Sequence, residues 1–420
     1  MDKGSSYGVS TAMPDFSDAR FFDRHTQPHM FTLVLLASIS ALTMNSFLPS
    51  LPSMAKHFGS TTAIMGLSVG IYLGSSAVLQ ILVGPLSDRV GRRPVLLWSL
   101  GIFIAASFAC IYAPNVLSFL VLRAVQALAA CSMVLARAIV RDTTDTQTSG
   151  SKIAYISMGM AITPMFGPAL GGFLDGWFGW QANFWMIGSI GIFIWIVAYF
   201  DQGETLSTTT QRFGEQLSEY SELLTSQRFW GYCMTAAFGA GTFFAYLGGG
   251  PFVGSIVFGL SPEQLGVYFG LPAVGYFLGN FLSGRYTIRF GVDSMVLWGL
   301  WTILSGLSLS IAWSYLGYGS AESFFGFMIF VGLGNGLILP NATAGMLSVR
   351  PHLAGTASGL GGSIMIAGGA ALSTLAGAVM EPGGDEMPLL LLMWSSAVGG
   401  VGIILYVYRR NRELQPSDQS

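Results

Sequence analysis

The sequence predicts an all-α membrane protein of twelve transmembrane helices, arranged as two pseudo-symmetric six-helix bundles. Three observations carry that prediction. Of the 420 residues, 52% are hydrophobic and only 10% charged, against about 25% charged in soluble domains. The charge deficit falls in blocks, because apolar runs of roughly 20 residues recur between Phe31 and Tyr408; that length spans a ~30 Å hydrocarbon layer as a helix whose backbone satisfies itself. Finally, a shift of 200 positions places Gly66 on Gly266, Gly70 on Gly270, Gly84 on Gly284, Arg89 on Arg289, Gly91 on Gly291 and Leu97-Trp98 on Leu297-Trp298. Polar and tryptophan matches at one fixed offset point to a parallel repeat of six spans.

Taken in order, the spans fall at 31–50, 64–83, 95–113, 117–139, 153–174, 183–200, 230–249, 265–284, 294–313, 323–342, 355–378 and 388–408. The polar stretch 201–229, with Asp201, Glu204, Arg212, Glu215, Glu219 and Arg228, separates six spans from six. The expected organisation is therefore a tail over 1–30, a first bundle over 31–200, a linker over 201–229, a second bundle over 230–408 and a tail over 409–420. Residues 1–30 are polar and contain no short apolar core with a cleavage site, so they read as a tail rather than a signal peptide.

Basic residues set the orientation. With the N-terminus inside, Arg89, Arg92, Arg93, Arg137, Arg141, Lys152, Arg212, Arg228, Arg285, Arg289, Arg350, Arg409, Arg410 and Arg412 all fall on the cytoplasmic side. Lys56 alone remains opposite, where Glu263, Glu322, Glu381, Asp385 and Glu386 gather. The positive-inside rule then places both termini in the cytoplasm. A net charge of -2 and the lack of a basic arm give no reason to expect nucleic acid. Cys110, Cys131 and Cys233 lie within predicted spans without metal or disulfide spacing and read as packing residues.

Between the second and third spans lies Gly84-Pro85-Leu86-Ser87-Asp88-Arg89-Val90-Gly91-Arg92-Arg93-Pro94. Gly84 and Gly91 permit a tight turn. Asp88 can accept from a helix N-terminus or an arginine and latch one conformer, while Arg89, Arg92 and Arg93 supply inward positive charge. A purely topogenic basic loop would need neither Asp88 nor both glycines. The second-half copy has Ile288 in place of Asp88, so only the first half can form an acidic latch. Arg123, in Arg123-Ala124-Val125-Gln126-Ala127, sits inside span four, where an arginine costs about 2.5–3.5 kcal/mol; it is expected to face a polar cavity with a partner. The blander alternative is an arginine snorkelling to the headgroups. Span five carries Pro164, Gly167, Pro168, Gly171 and Gly172, a set expected to bend the helix and open a groove for a neighbour.

The 84–94 segment resembles the signature loop of the major facilitator superfamily. Arg123 with Gln126 is similar to the Arg-x-x-Gln-Gly motif of that family, associated there with proton transfer, with Ala127 in place of the glycine. Gly167-Pro168 with Gly171-Gly172 resembles the Gly-Pro-x-x-Gly-Gly motif of its exporters. Asn45-Ser46-Phe47-Leu48-Pro49-Ser50-Leu51-Pro52, Gly249-Gly250-Pro251-Phe252-Val253, Ser261-Pro262, Pro340-Asn341-Ala342 and Ala354-Gly355-Thr356-Ala357-Ser358 resemble the Bcr/CflA drug-resistance group. That likeness implies the major facilitator fold in a bacterial inner membrane, alternating access, and export of varied small amphiphilic compounds against protons, with no cofactor. It also implies one departure: the family usually has Asp where this chain has Asn45, so the usual proton carrier is missing.

Tyr72, Met133, Met158, Phe243, Phe244, Tyr246 and Met365 are candidates to line an adaptable substrate cavity, with Asn341 alongside; each taken singly could equally pack or face lipid. His25, His29, His57 and His352 lie in tails or loops, which argues against a histidine proton relay. No metal-ligand cluster, nucleophile elbow or phosphate loop suggests an enzyme. The expected partners are a small-molecule substrate, protons and the bilayer, with the chain acting as a monomer. Within transport, a carrier for one anionic metabolite clamped by Arg123 is the competing expectation.

Overall fold

The computed structural model describes residues 19–144, 146–206, 222–350, 354–380 and 384–414, and no strand occurs among them. Arg212, Glu215, Glu219, His352, Glu381 and the side chains of Met158 and Arg412 lie outside the described residues. The first bundle comprises α1 (Met30–Asn45, resuming at Leu51–His57 after a 3₁₀ turn), α2 (Thr62–Val90), α3 (Arg92–Ile111), α4 (Val116–Gln126, resuming at Ala129–Thr143), α5 (Thr146–Phe178) and α6 (Gln181–Asp201). The second comprises α7 (Gln227–Phe252), α8 (Pro262–Tyr268, resuming at Leu271–Phe290), α9 (Val292–Trp313), α10 (Ala321–Val349), α11 (Ala354–Val379) and α12 (Met387–Leu414). Eleven of these segments are long and apolar enough to cross a membrane among the described residues. The remaining one, α5, has 33 residues, about 50 Å at 1.5 Å per residue.

Two boundaries differ from expectation. The expected 84–94 loop is helical: α2 continues through Pro85 and Asp88 to Val90, and α3 begins at Arg92. One residue makes the turn, Gly91 at φ +105°, a conformation that costs a side chain dearly and glycine little. Its repeat partner Gly291, at φ +83°, does the same between α8 and α9. Span one, expected to end at 50, runs on as helix to His57. Pro49 and Pro52 stand at N-terminal positions of the two short helical segments, where a missing N–H costs nothing.

Each bundle has a buried core. Leu36, Phe103, Leu135 and Ile187 anchor the first, and Phe252, Phe325, Ile338 and Met393 belong to the larger cluster around the second. The bundles meet through α2 against α11 and α5 against the first segment of α8. Small residues make those seams. A Cβ added to Gly66 would lie 3.2 Å from the Gly377 Cα, one on Gly70 would strike the Thr374 hydroxyl, and one on Gly172 would lie 2.2 Å from the Pro262 carbonyl oxygen. These approaches all lie toward the end of the molecule that carries Phe58 and Val379. Toward the other end, a Cβ on Gly84, Gly284, Gly359 or Gly362 would meet nothing within 4 Å.

Candidate functional site: a buried arginine and a charged helix junction

Arg123 lies in the last turn of the first segment of α4 and has no exposed surface. Its guanidinium carbon stands 4.1 Å from the Phe47 ring centroid and 4.7 Å from that of Tyr72. Nη1 donates to Gln126 Oε1 at 2.6 Å and, weakly, to the Thr43 carbonyl at 3.5 Å. Gln126 Nε2 donates to Ser107 Oγ at 2.9 Å, and Tyr72 donates its hydroxyl to the Ser40 carbonyl at 3.0 Å. Nε and Nη2 of Arg123 have no hydrogen-bond partner among the described residues, and no carboxylate there lies within ion-pair distance.

The sequence led us to expect a cavity-facing arginine with a counter-ion. Instead the guanidinium sits inside the first bundle, held by π faces and neutral acceptors. The energetics allow it: a desolvated cation over an aromatic face gains about 2 kcal/mol, so two faces and a charge-assisted bond offset an insertion cost of about 2.5–3.5 kcal/mol.

Asn45, the last residue of the first α1 segment, is 1% exposed and donates Nδ2 to the Ala41 carbonyl at 2.7 Å. It faces α5, whose Gly167 would place a Cβ 3.7 Å from the Asn45 Cβ. The glycines of α5 serve two neighbours. Gly171 abuts the Ser46 carbonyl of α1, and Gly172 abuts Pro262 and Gly266 of α8. Pro164 and Pro168 lie within the same uninterrupted helix. At its far end Asp175 Oδ2 accepts from Ser53 Oγ at 2.8 Å, which ties α5 to the Leu51–His57 segment.

At the opposite end the helix junction around Gly91 gathers charge. Arg92 pairs through Nη1 with Asp88 at 2.6 Å and through Nε with Asp142 of α4 at 2.9 Å, and its Nη1 also reaches the Ser87 hydroxyl. Glu204 accepts the Arg92 and Arg93 amides at 2.9 and 3.2 Å, so it caps the α3 N-terminus that Gly91 cannot. Arg93 donates from Nε and Nη2 to the Gln202 and Tyr199 carbonyls. Arg89 is exposed at the α2 end, and Ile288, its counterpart region's replacement for Asp88, is 98% exposed.

The aromatic and methionine candidates do not form one wall. Tyr72 and Tyr246 are essentially inaccessible, the first against Arg123 and the second stacked at 4.6 Å on Phe269. Phe244 is buried, with Gly369 beneath its ring. Phe243, Met133 and Met365 are partly buried. Asn341 bridges α10 to α8: it donates Nδ2 to Ser283 Oγ and to the Leu337 carbonyl, both at 2.7 Å, and accepts from Thr287 at 2.8 Å. Phe47, Ser107, Asp142 and Glu204 were missed as site residues, because each reaches its partner across 50 or more residues or through a different helix.

Residues 33–273, more than half of the chain, match the family described as the Major Facilitator Superfamily. The "Bicyclomycin resistance protein homolog" of Haemophilus influenzae is 26% identical over 400 residues, covering 92% of this chain and 97% of that protein. "Multidrug resistance protein D" of Escherichia coli is 26% identical over 377 residues, covering 87% and 92%. A solved bacterial homolog of the human lysosomal transporter Spinster, inward-facing and occupied, superposes with a TM-score of 0.69 at 17% identity, covering 93% of this chain and 98% of that one. This last likeness concerns the fold alone. The chain is a multi-pass membrane transporter, not an enzyme, and it belongs to the Major Facilitator Superfamily.

Proposed function

We propose that the protein exports small amphiphilic compounds, drugs among them, across the bacterial inner membrane by proton-coupled alternating access. The observation that carries this reading is the one-sided closure of the bundles. Glycine seams join α2 to α11 and α5 to α8 toward one end, while Gly84 of α2, Gly284 of α8 and Gly359 and Gly362 of α11, toward the other end of the same helices, have open space around them. With both termini cytoplasmic, as the arginine distribution favours, this is an inward-open conformer, and the Asp88–Arg92–Asp142 junction borders its open side. The substrate class follows the names of the two relatives, which concern bicyclomycin and multiple drugs. The test is uptake into inverted vesicles, with a panel of amphiphilic drugs and an imposed pH gradient. Uptake of no drug, with or without the gradient, overturns the reading.

A second reading has one observation in its favour. Arg123 keeps Nε and Nη2 unpartnered, so an anionic metabolite could complete its shell if Phe47 or Tyr72 moved aside. Saturable uptake of an organic anion that vanishes in Arg123→Gln, with no drug uptake, favours this carrier over the exporter.

A further inference from the structure

On the exterior of the first bundle, α3 and α6 leave a groove of about 550 Å³ lined by Arg93, Leu97, Trp98, Gly101, Trp195 and Glu204 among others. That volume lies within the ~300–1,000 Å³ of ordinary small-molecule pockets. The groove has fixed walls. Trp195 donates its indole N–H to the Leu97 carbonyl at 3.1 Å and stacks on Tyr199. Its floor is left open at Gly101, where an added Cβ would meet only the Trp195 Nε1, at 4.0 Å. Trp98 is 74% exposed beside it. The principal packing of α3 and α6 is against first-bundle helices, so the groove faces lipid rather than the second bundle.

Its mouth is polar, and the charges there are unequal in availability. Glu204 is occupied: Oε1 accepts the Arg92, Thr205 and Leu206 amides at 2.9–3.1 Å, and Oε2 accepts Arg93 N. Arg92 is committed to two aspartates. Arg93 makes no ion pair among the described residues. Its Nε and Nη2 are taken by backbone carbonyls, and its Nη1 has no hydrogen bond there. Tyr199 lies under its guanidinium at 5.1 Å. A fixed cation therefore stands over an apolar trough, at the end of α3 where the helix leaves the membrane.

We propose that this groove is a specific site for an anionic phospholipid, its phosphate bound by Arg93 Nη1 and one acyl chain lying along Leu97, Trp98 and Gly101. A free phosphate would use the cation but leave the trough uncovered, and a neutral lipid would use the trough alone. Basic pockets between membrane helices near the headgroup level take such lipids, and Trp and Tyr suit the same depth. The site is independent of the transported substrate.

The test is native mass spectrometry of the purified full chain, titrated with phosphatidylglycerol or with phosphatidylcholine. One phosphatidylglycerol should bind at least about fivefold more tightly than phosphatidylcholine. Gly101→Leu, which fills the trough, should remove that adduct, and Arg93→Gln should abolish the preference between the two lipids. Equal retention of both lipids by the native protein, or an unchanged phosphatidylglycerol adduct in Gly101→Leu, overturns the proposal. If Gly101→Leu does not purify, quenching by brominated phosphatidylglycerol decides it. The high-affinity phase should vanish when Trp98→Phe and Trp195→Phe are combined, and its persistence refutes the site.

Discussion

Arg123 and Gln126 are joined by a 2.6 Å hydrogen bond from Nη1 to Oε1 in the interior of the first bundle, and Gln126 extends the link to Ser107 of α3 at 2.9 Å. The spacing of three residues puts both side chains on one face of α4, turned toward α1, α2 and α3 rather than toward lipid. The arginine thus couples four helices through one planar group.

Arg123→Lys keeps the charge and loses the planar fork and its stacking. Transport should fall at least about tenfold, which corresponds to about 1.4 kcal/mol. Arg123→Leu should abolish transport while leaving the melting temperature within a few degrees, because relief from burying an uncompensated charge offsets the lost ring contacts and the lost bond to Gln126. A collapse of stability in Arg123→Leu would make the residue structural.

Arg92 links the end of α2 to the end of α4 through two aspartates. Asp88→Asn and Asp142→Asn should each slow transport severalfold without preventing membrane insertion. The double variant should be no worse than the more severe single one, as groups acting through a shared partner are not additive. Vesicle uptake normalised to inserted protein measures this.

Gly66 and Gly377 touch across the seam between bundles. Introducing Gly66→Cys with Gly377→Cys should allow a disulfide once the seam gives by a few tenths of an ångström, since each new Cβ would stand 3.2–3.3 Å from the opposite Cα. Native Cys110, Cys131 and Cys233 are buried and free, so background should be low. Oxidation should stop transport and reductant should restore it. Continued transport by fully crosslinked protein would show that the seam need not open.

Gly171→Ala should destabilise the protein by about 1–3 kcal/mol or more, because its Cβ would stand 1.6 Å from the Ser46 carbonyl oxygen. Gly326→Ala, where a Cβ meets nothing within 4 Å, should be neutral or slightly stabilising through helix propensity. Thermal unfolding in one detergent compares them.

Asn45→Asp installs the acid that the family usually carries. A protonated carboxyl can keep donating to the Ala41 carbonyl that Asn45 now serves, whereas a carboxylate would face an acceptor without a donor, so the buried neutral form is favoured. Loading therefore belongs to the acidic side and release to the alkaline side. Uptake measured from pH 5.5 to 8.5 should become steeper with the imposed gradient than in the native protein. An unchanged profile would place the proton path elsewhere.

The twelve spans, the repeat and the one-sided arginines were all legible in the sequence, because hydropathy and positive-inside bias are properties of residues taken in order. Gly91 and Gly291 were legible as a matched pair, and the structure gives both the same task of turning the chain in one residue. An arginine partner for Asp88 could be expected from the sequence, but only the one-residue turn at Gly91, which sets the end of α2 against the start of α3, selects Arg92. Asp142 and Glu204 could not be expected there, since they arrive from α4 and from the linker and nothing local marks them.

Arg123 shows most plainly where the two sources divide. Its presence inside a span, its cost and its need for compensation follow from the sequence and the low dielectric of the bilayer. What compensates it is decided by tertiary packing: the rings of Phe47 and Tyr72, 76 and 51 positions earlier in the chain, close over the guanidinium. A residue's transfer cost depends on its own chemistry, whereas its partners depend on which helix faces meet. The same holds for α5, whose glycines the sequence marks as close-packing sites, while only the fold assigns Gly171 to α1 and Gly172 to α8.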